Sequence, residues 1–356
     1  MPNYESVAAN GVDFTNGHSH ASLCSPSRYT LLTGQYYFRA NPNRNVVQPD
    51  HAPFINETVN TFPGMLQDEG YKTYMVGKWH VGMDMPDDLA TGEIYGGPLD
   101  GGFDRYFGIA ASMGFPYLSY IQDRTFTEVP DHYTIKEAAA IQSCPGGLAC
   151  KTWGLGTCLE ASFENLTGCG SSSMWRTVEE GSWHKTVGKT FDPHYVLSNL
   201  TSAATSYIEH HVNQYGSDVP FFLYMAMTGD HLPHTPHPDW EGTTDYGWYA
   251  DLLEELDYRL GQTIDVLTKH NLLNDTLLIV TSDNGPEAKG KYVRTGLTST
   301  DVYAGQKTDL QEGGNRIPFI VQWPNVMPKG ITFDYAISQV DFFRTFADML
   351  GISLPS

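Results

Sequence analysis

Apolar positions fall into four short runs along the chain, and polar clusters follow three of them directly. YKTYMVG (71–77) leads into Lys78, Trp79 and His80, and PFFLYMAM (220–227) into Asp230 and His231. LLIVTS (277–282) leads into Asp283, Asn284 and Gly285, and RIPFIVQW (316–323) is the fourth run. Unbroken apolar runs of this length predict strands covered on both faces, as in a parallel sheet. Between them the period changes. Leu252, Leu253, Leu256, Leu260, Ile264 and Leu267 recur at helical spacing within 251–270, with Asn271 after the last turn. A second helix is predicted over 339–350, ending at Gly351. Strands alternating with helices predict an α/β sheet, whose ligands bind beyond the carboxyl ends of the strands. Three polar clusters sit at those ends, which points to one shared site.

Two segments break this pattern. From about 113 to 200 the chain is rich in Gly and Ser with little periodicity, and reads as an irregular insertion rather than a second core. Near the start, SPSRYTLLTG (25–34) is punctuated as a short helix: Ser25 as cap, Pro26 in the first turn, Gly34 at the close. Cys24 then stands at the helix N-terminus, where free N–H groups favour an anion, and Arg28 lies one turn on. Cys24 is either a buried structural thiol or part of a site.

Composition narrows the possibilities. With 356 residues, 40% apolar and 17% charged, the chain is globular. A net charge of −20 and the lack of a basic stripe exclude nucleic acid as a partner. An anionic small substrate needs a locally basic pocket. No apolar run approaches the roughly 20 residues of a membrane span. Cys144, Cys150, Cys158 and Cys169 lie together in the insertion without zinc-site spacing and predict two disulfides, all three pairings remaining open. Asn56, Asn165, Asn199 and Asn274 begin N-glycosylation sequons. The opening, MPNYESVAANG, carries no signal peptide, which leaves a cytosolic protein or a leader lying further upstream.

Cys24 does not stand alone. CSPSR (24–28) with Thr33 and Gly34 resembles the C-x-P-S-R…T-G signature of the sulfatase family, although Gln35 replaces the usual Arg after that Gly. GYKTYMVGKWHVG (70–82), TSDNGPE (281–287), GQKTDLQEGGNRIPFIVQWP (305–324) and ISQVDFFRTFADMLGISLP (337–355) resemble further sulfatase blocks, in the family's order. The resemblance implies one catalytic α/β domain over 1–356: a large, mostly parallel or mixed sheet flanked by helices, alkaline-phosphatase-like. It implies hydrolysis of a sulfate ester, on a sulfated glycan or an aryl sulfate. It also implies that a formylglycine-generating enzyme oxidises Cys24 to formylglycine. One hydroxyl of the hydrate attacks sulfur, and the second loses a proton to expel sulfate, a release step that a serine or thiol lacks. By the same resemblance Cys24 (converted), Asp283 and Asn284 bind a divalent cation, Ca2+ or Mg2+, as suits oxygen donors. Arg28 holds the hydrate. Lys78 and Lys307 bind sulfate oxygens. His80 assists proton removal, His231 is the general acid and Ser112, in FGIAAS, contacts sulfate. His234 rivals His231, since both stand in an H-x-P context; counting from the strand favours His231. His237 is read as a surface residue, and His18 and His20 as structural.

The sequence departs from the family at both ends. Sulfatases begin with an apolar strand ending in two adjacent aspartates that bind the metal, and close with a small antiparallel subdomain. This chain opens at the segment just after that strand and stops at Ser356; Asp87 and Asp88, its adjacent pair, lie in a loop and do not match. The expectation is therefore a fold truncated at both ends, with strand edges and apolar side chains exposed and weak metal binding. Alternatives are a phosphonate or phosphate ester hydrolase of the same superfamily, a silent anion-binding relative, and a thiol hydrolase using unmodified Cys24. The cysteines, the sequons and the family's habits favour the secretory pathway, extracellular or lysosome-like.

Overall fold

The computed structural model describes residues 1–41, 46–130, 132–135, 151–153, 157–159, 186–287, 300 and 302–354. Helix α1 (Pro2–Ala9) leads into strand β1 (Val12–Phe14), and α2 (Cys24–Thr33) and α3 (Phe62–Asp68) precede β2 (Lys72–Lys78). Then come β3 (Arg105–Ile109), β4 (Ile121–Gln122) and β5 (Thr125–Phe126). Helix α4 (Val196–Tyr215), β6 (Phe221–Ala226), α5 (Trp248–Lys269) and β7 (Leu278–Thr281) follow. β8 (Phe319–Gln322), β9 (Ile331–Phe333) and α6 (Asp341–Leu350) complete the main elements.

The strands form two principal sheets. One has the order β6-β2-β3-β4-β5, with β6, β2 and β3 parallel; the other has the order β7-β8-β1-β9. All four apolar runs are strands, but β8 is antiparallel to both β7 and β1, so the architecture is mixed. An unbroken apolar run reports burial on both faces, and β8 is buried throughout; it does not report strand direction. Along β6 the side chains alternate. Leu223 and Met225 pack toward α4, while Phe222 and Tyr224 pack on the opposite side with Phe62 and Phe103.

Both periodic helices are present, and Gly34 and Gly351 end α2 and α6 in the left-handed conformation. Ser25 is not the cap of α2. Leu23 takes that place, Cys24 is the first helical residue, and the Ser25 hydroxyl accepts from the Val47 amide. Part of the span read as irregular is regular: β4 and β5 extend the larger sheet, and α4 begins at Val196. The periodicity of α4 was there to be read. Val196, Leu197, Leu200, Ala204 and Ile208 are its buried stripe, but Ser, Thr and Asn between them dilute the pattern. Cys144, Cys150 and Cys169 lie outside the described residues, as does the Cys158 side chain, and with them the expected disulfides.

Candidate active site

The carboxyl ends of β2, β6 and β7 and the N-terminus of α2 meet at Cys24. The thiol is 5% exposed and hydrogen-bonds to Lys78 and His231. Burial and Asp283 push its pKa up, but Lys78, the His231 hydrogen bond and Lys307 outweigh them and bring it down to about 7. An anion at this position is therefore stabilised by built-in groups.

Arg28 reaches back from α2. Its Nε donates to Asp283 Oδ2 at 2.8 Å and an Nη to the Lys78 carbonyl at 2.6 Å, fastening α2 to the ends of β7 and β2. Lys78 Nζ stands 3.9 Å from the same carboxylate oxygen. Burial opposes charge on Asp283, yet Arg28, Lys78 and Lys307 hold its carboxyl well below the usual range. Burial lowers the Lys78 pKa although Cys24 and Asp283 oppose the shift. Lys307 donates to Glu287 at 2.8 Å; against its burial, Cys24 and Glu287 raise its pKa. Arg28, Lys78 and Lys307 thus gather beside Asp283 and Glu287, with Asp230 nearby, a local concentration of cations in a protein of net charge −20.

The histidines separate cleanly. His231 contacts Cys24 and has Nδ1 2.7 Å from the Leu232 carbonyl. His234 turns away: Nε2 lies 3.1 Å from the Asp230 carbonyl, and its ring packs edge-on against Tyr249. His80 adopts a positive φ of 66°, packs on Phe115 and is buried; burial, then Lys78 and Arg28, keep it neutral. The His237 ring is part-buried against Tyr195 rather than free on the surface. His18 faces Glu312, and His20 packs on Tyr36.

Buried polar atoms without a protein hydrogen-bond partner gather at these strand ends. Among the described residues they include both His80 ring nitrogens, Ser112 Oγ, Thr228 Oγ1 and Asn284 Oδ1. Unpaired buried polar groups cost about 1–3 kcal/mol each, so such a cluster marks a site built around a polar ligand. Glu287 was given no role from sequence, and Asp230 was named only as part of the polar cluster that follows the 220–227 run. TSDNGPE contains Glu287, but its pairing with Lys307 is a tertiary fact. Asp230, pushed upward by burial and then by Asp283, receives the Tyr249 hydroxyl.

The metal reading was tested on the donor set. Asn284 Oδ1 is a buried, unpartnered oxygen beside the Asp283 carboxylate, which suits a hard cation. Among the described residues no three His, Cys, Asp or Glu side chains form a cluster able to hold an ion. Asp283 and Asn284 therefore supply two side-chain ligands with at most three oxygens, a partial fit to a cation that takes roughly six to eight.

Comparison with known proteins bears on the family and the fold. The chain is 30% identical over 370 residues to an N-acetylgalactosamine-6-O-sulfatase of Bacteroides thetaiotaomicron, covering 99% of this chain and 68% of that protein. It is 27% identical to human arylsulfatase D, covering 99% of this chain and 61% of that one. It thus spans about two thirds of the length of such relatives. A solved structure from a study of glycosaminoglycan metabolism by B. thetaiotaomicron superposes with a TM-score of 0.78 at 26% identity, covering 100% and 73% of the two chains. A phosphonate monoester hydrolase of Agrobacterium radiobacter shares the fold alone, with a TM-score of 0.54 at 16% identity over 99% and 69%. Residues 1–352 match the sulfatase family, and the chain belongs to it.

Proposed function

We propose that this chain forms the catalytic core of a sulfatase acting on a sulfated sugar, with Cys24 as the precursor of its formylglycine nucleophile. The observation that carries the reading is the meeting of Lys78, His231, Lys307 and Asp283 around one buried cysteine. The Cys24 side chain stands where the aldehyde would stand. Formed there, that group would supply the attacking hydroxyl and a second hydroxyl for release of sulfate, which an unmodified thiol lacks. The relative named as an N-acetylgalactosamine-6-O-sulfatase supports a sugar substrate.

Each residue then has a physical task. Arg28, fixed by Asp283 and the Lys78 carbonyl, braces the nucleophile's helix. Lys78, at the end of β2, and Lys307, in the loop before β8, hold sulfate oxygens as they gain charge. His80, neutral and buried with unpartnered ring nitrogens, is suited to accept a proton. Burial lowers the His231 pKa, which makes its protonated form a stronger acid toward the leaving oxygen. Ser112 Oγ is a buried hydroxyl available to substrate. Asp283, Asn284 and the converted Cys24 would hold a divalent cation, which supplies charge neutralisation at sulfate. The sequon residues Asn56, Asn199 and Asn274 are exposed, which supports a secretory setting.

The test is expression beside a formylglycine-generating enzyme, mass analysis of the Cys24 peptide, and rates on matched aryl sulfate and aryl phosphate esters. Aldehyde at Cys24 with faster sulfate turnover, abolished in Cys24→Ala, is the expected result. An unmodified thiol with no turnover would reduce the reading to shared ancestry. Faster phosphate turnover would transfer the chain to the phosphate and phosphonate hydrolases.

A further inference from the structure

The loop between β6 and α5 carries His231, and α5 holds that loop with two buried carboxylates. Asp251 and Glu255 lie one turn apart on α5, and both are 0% exposed. Asp251 accepts from the Gly242 amide at 2.9 Å, the Thr244 amide at 2.9 Å and the Thr244 hydroxyl at 2.7 Å. Glu255 accepts from the His237 amide at 2.8 Å, and its other oxygen pairs with Arg259 at 2.8 Å. The Tyr249 hydroxyl donates to Asp230 at 3.3 Å, and the Trp240 ring packs on Tyr258. One helix thus grips the loop at several points between residues 230 and 244.

We propose that Asp251 and Glu255 are positioning residues of this site: by fixing residues 237–244 they set where the loop carries the His231 ring against Cys24. His231 stands midway in an arch, five residues after Ala226, which ends β6, and six before His237, which Glu255 holds. The upstream foot of the arch is rigid, because β6 pairs with β2 along its whole length. The downstream foot has no strand or helix of its own, so side chains must place it. Pro193 and His194 touch it from the other side through single hydrogen bonds, from the Thr235 hydroxyl and to the Pro236 carbonyl. Hydrogen bonds to an ionised acceptor are roughly twice as strong as neutral ones, so the two carboxylates dominate. Replacing either by its amide leaves loop amides without a full acceptor. A shift of about 1 Å in a reacting group can cost on the order of 10²-fold in rate, so an anchor several residues away is felt at the ring. Asp251 and Glu255 act through the loop and not on substrate.

The test follows the His231 ring signal by NMR in the whole chain carrying labelled histidine, the signal being identified by its loss in His231→Ala. Asp251→Asn and Glu255→Gln are expected to move it. So is Thr244→Val, a milder change that removes one donor to Asp251 at a part-exposed position. Asp257→Asn is the control, because Asp257 is a buried carboxylate of the same helix that holds α1 instead, through the Asn3 and Tyr4 amides. It should lower the unfolding midpoint and leave the ring signal in place. A signal unmoved in Thr244→Val and in whichever charge variants fold, or moved equally by Asp257→Asn, would overturn the positioning role. A second arm rests on the reading of His231 as general acid: a poor leaving group needs the proton, whereas nitrophenolate leaves without it. Turnover of phenyl sulfate should fall about tenfold or more in Asp251→Asn and Glu255→Gln, with nitrophenyl sulfate changed by less than about twofold, as in His231→Ala. Equal losses on both esters in the α5 variants, with His231→Ala selective, would also overturn the proposal. An unselective His231→Ala would instead remove the general-acid reading, and the ring signal alone then decides the positioning role.

Discussion

At the scale of the residue, the site is a problem in holding an anion inside an acidic protein. Cys24 is buried beside Asp283, and both conditions oppose a thiolate; Lys78, His231 and Lys307 reverse the balance. Unmodified protein should therefore alkylate at Cys24 with a rate that rises through about pH 7, below the ordinary thiol range. His231→Ala removes a hydrogen bond that favours the thiolate, so its rate–pH curve should move to higher pH, and Lys78→Met should move it the same way. An unmoved curve in both variants would show that the cations do not set the thiol's ionisation. Much of this was legible in the sequence. Lys78, His231 and Asp283 each follow an apolar run, and strand ends are where ligands gather. Counting from the strand favoured His231 over His234, and the backbone turn after β6 brings the His231 ring to Cys24. The Lys307–Glu287 pair joins residues 20 apart across loops, and no local pattern announces it.

At the scale of the element, two glycines set how closely three strands lie. Gly77, at φ 107° in β2, abuts the Ala226 carbonyl of β6, and Gly108 of β3 abuts the Gly77 carbonyl. Neither position has room for a β-carbon, and the Gly77 backbone conformation suits glycine alone. Lys78 follows directly, so this packing fixes where its ammonium is delivered. Gly77→Ala should destabilise the fold by about 1–3 kcal/mol through overpacking and backbone strain, read as a lower denaturant midpoint. It should also slow Cys24 alkylation by moving Lys78. A stable variant with unchanged alkylation would refute this role. The apolar runs announced these strands and their burial, but pairing direction and glycine contacts are decided by partners distant in sequence. Helix α4 was passed over for the opposite reason: its stripe is periodic, but Ser and Thr share it.

At the scale of the molecule, charge and topology give opposing expectations for a cation. A net charge of −20 attracts divalent ions everywhere on the surface, weakly and in a way that salt screens. The site itself offers the Asp283 carboxylate, already shared with Arg28 and Lys78, and the single oxygen Asn284 Oδ1. Three nearby positive charges further oppose a dication. At most three oxygens of roughly six to eight, one of them shared with Arg28 and Lys78, cannot hold calcium tightly, so calorimetric titration of the 356-residue chain should give a dissociation constant on the order of 10⁻⁴–10⁻³ M or weaker. That binding should fade as salt rises, because most of it belongs to the surface. Asn284→Ala should leave the salt-sensitive part intact and remove only a small residual. Micromolar, salt-insensitive binding lost in Asn284→Ala would overturn this expectation, since further oxygen donors would then have to converge on Asp283.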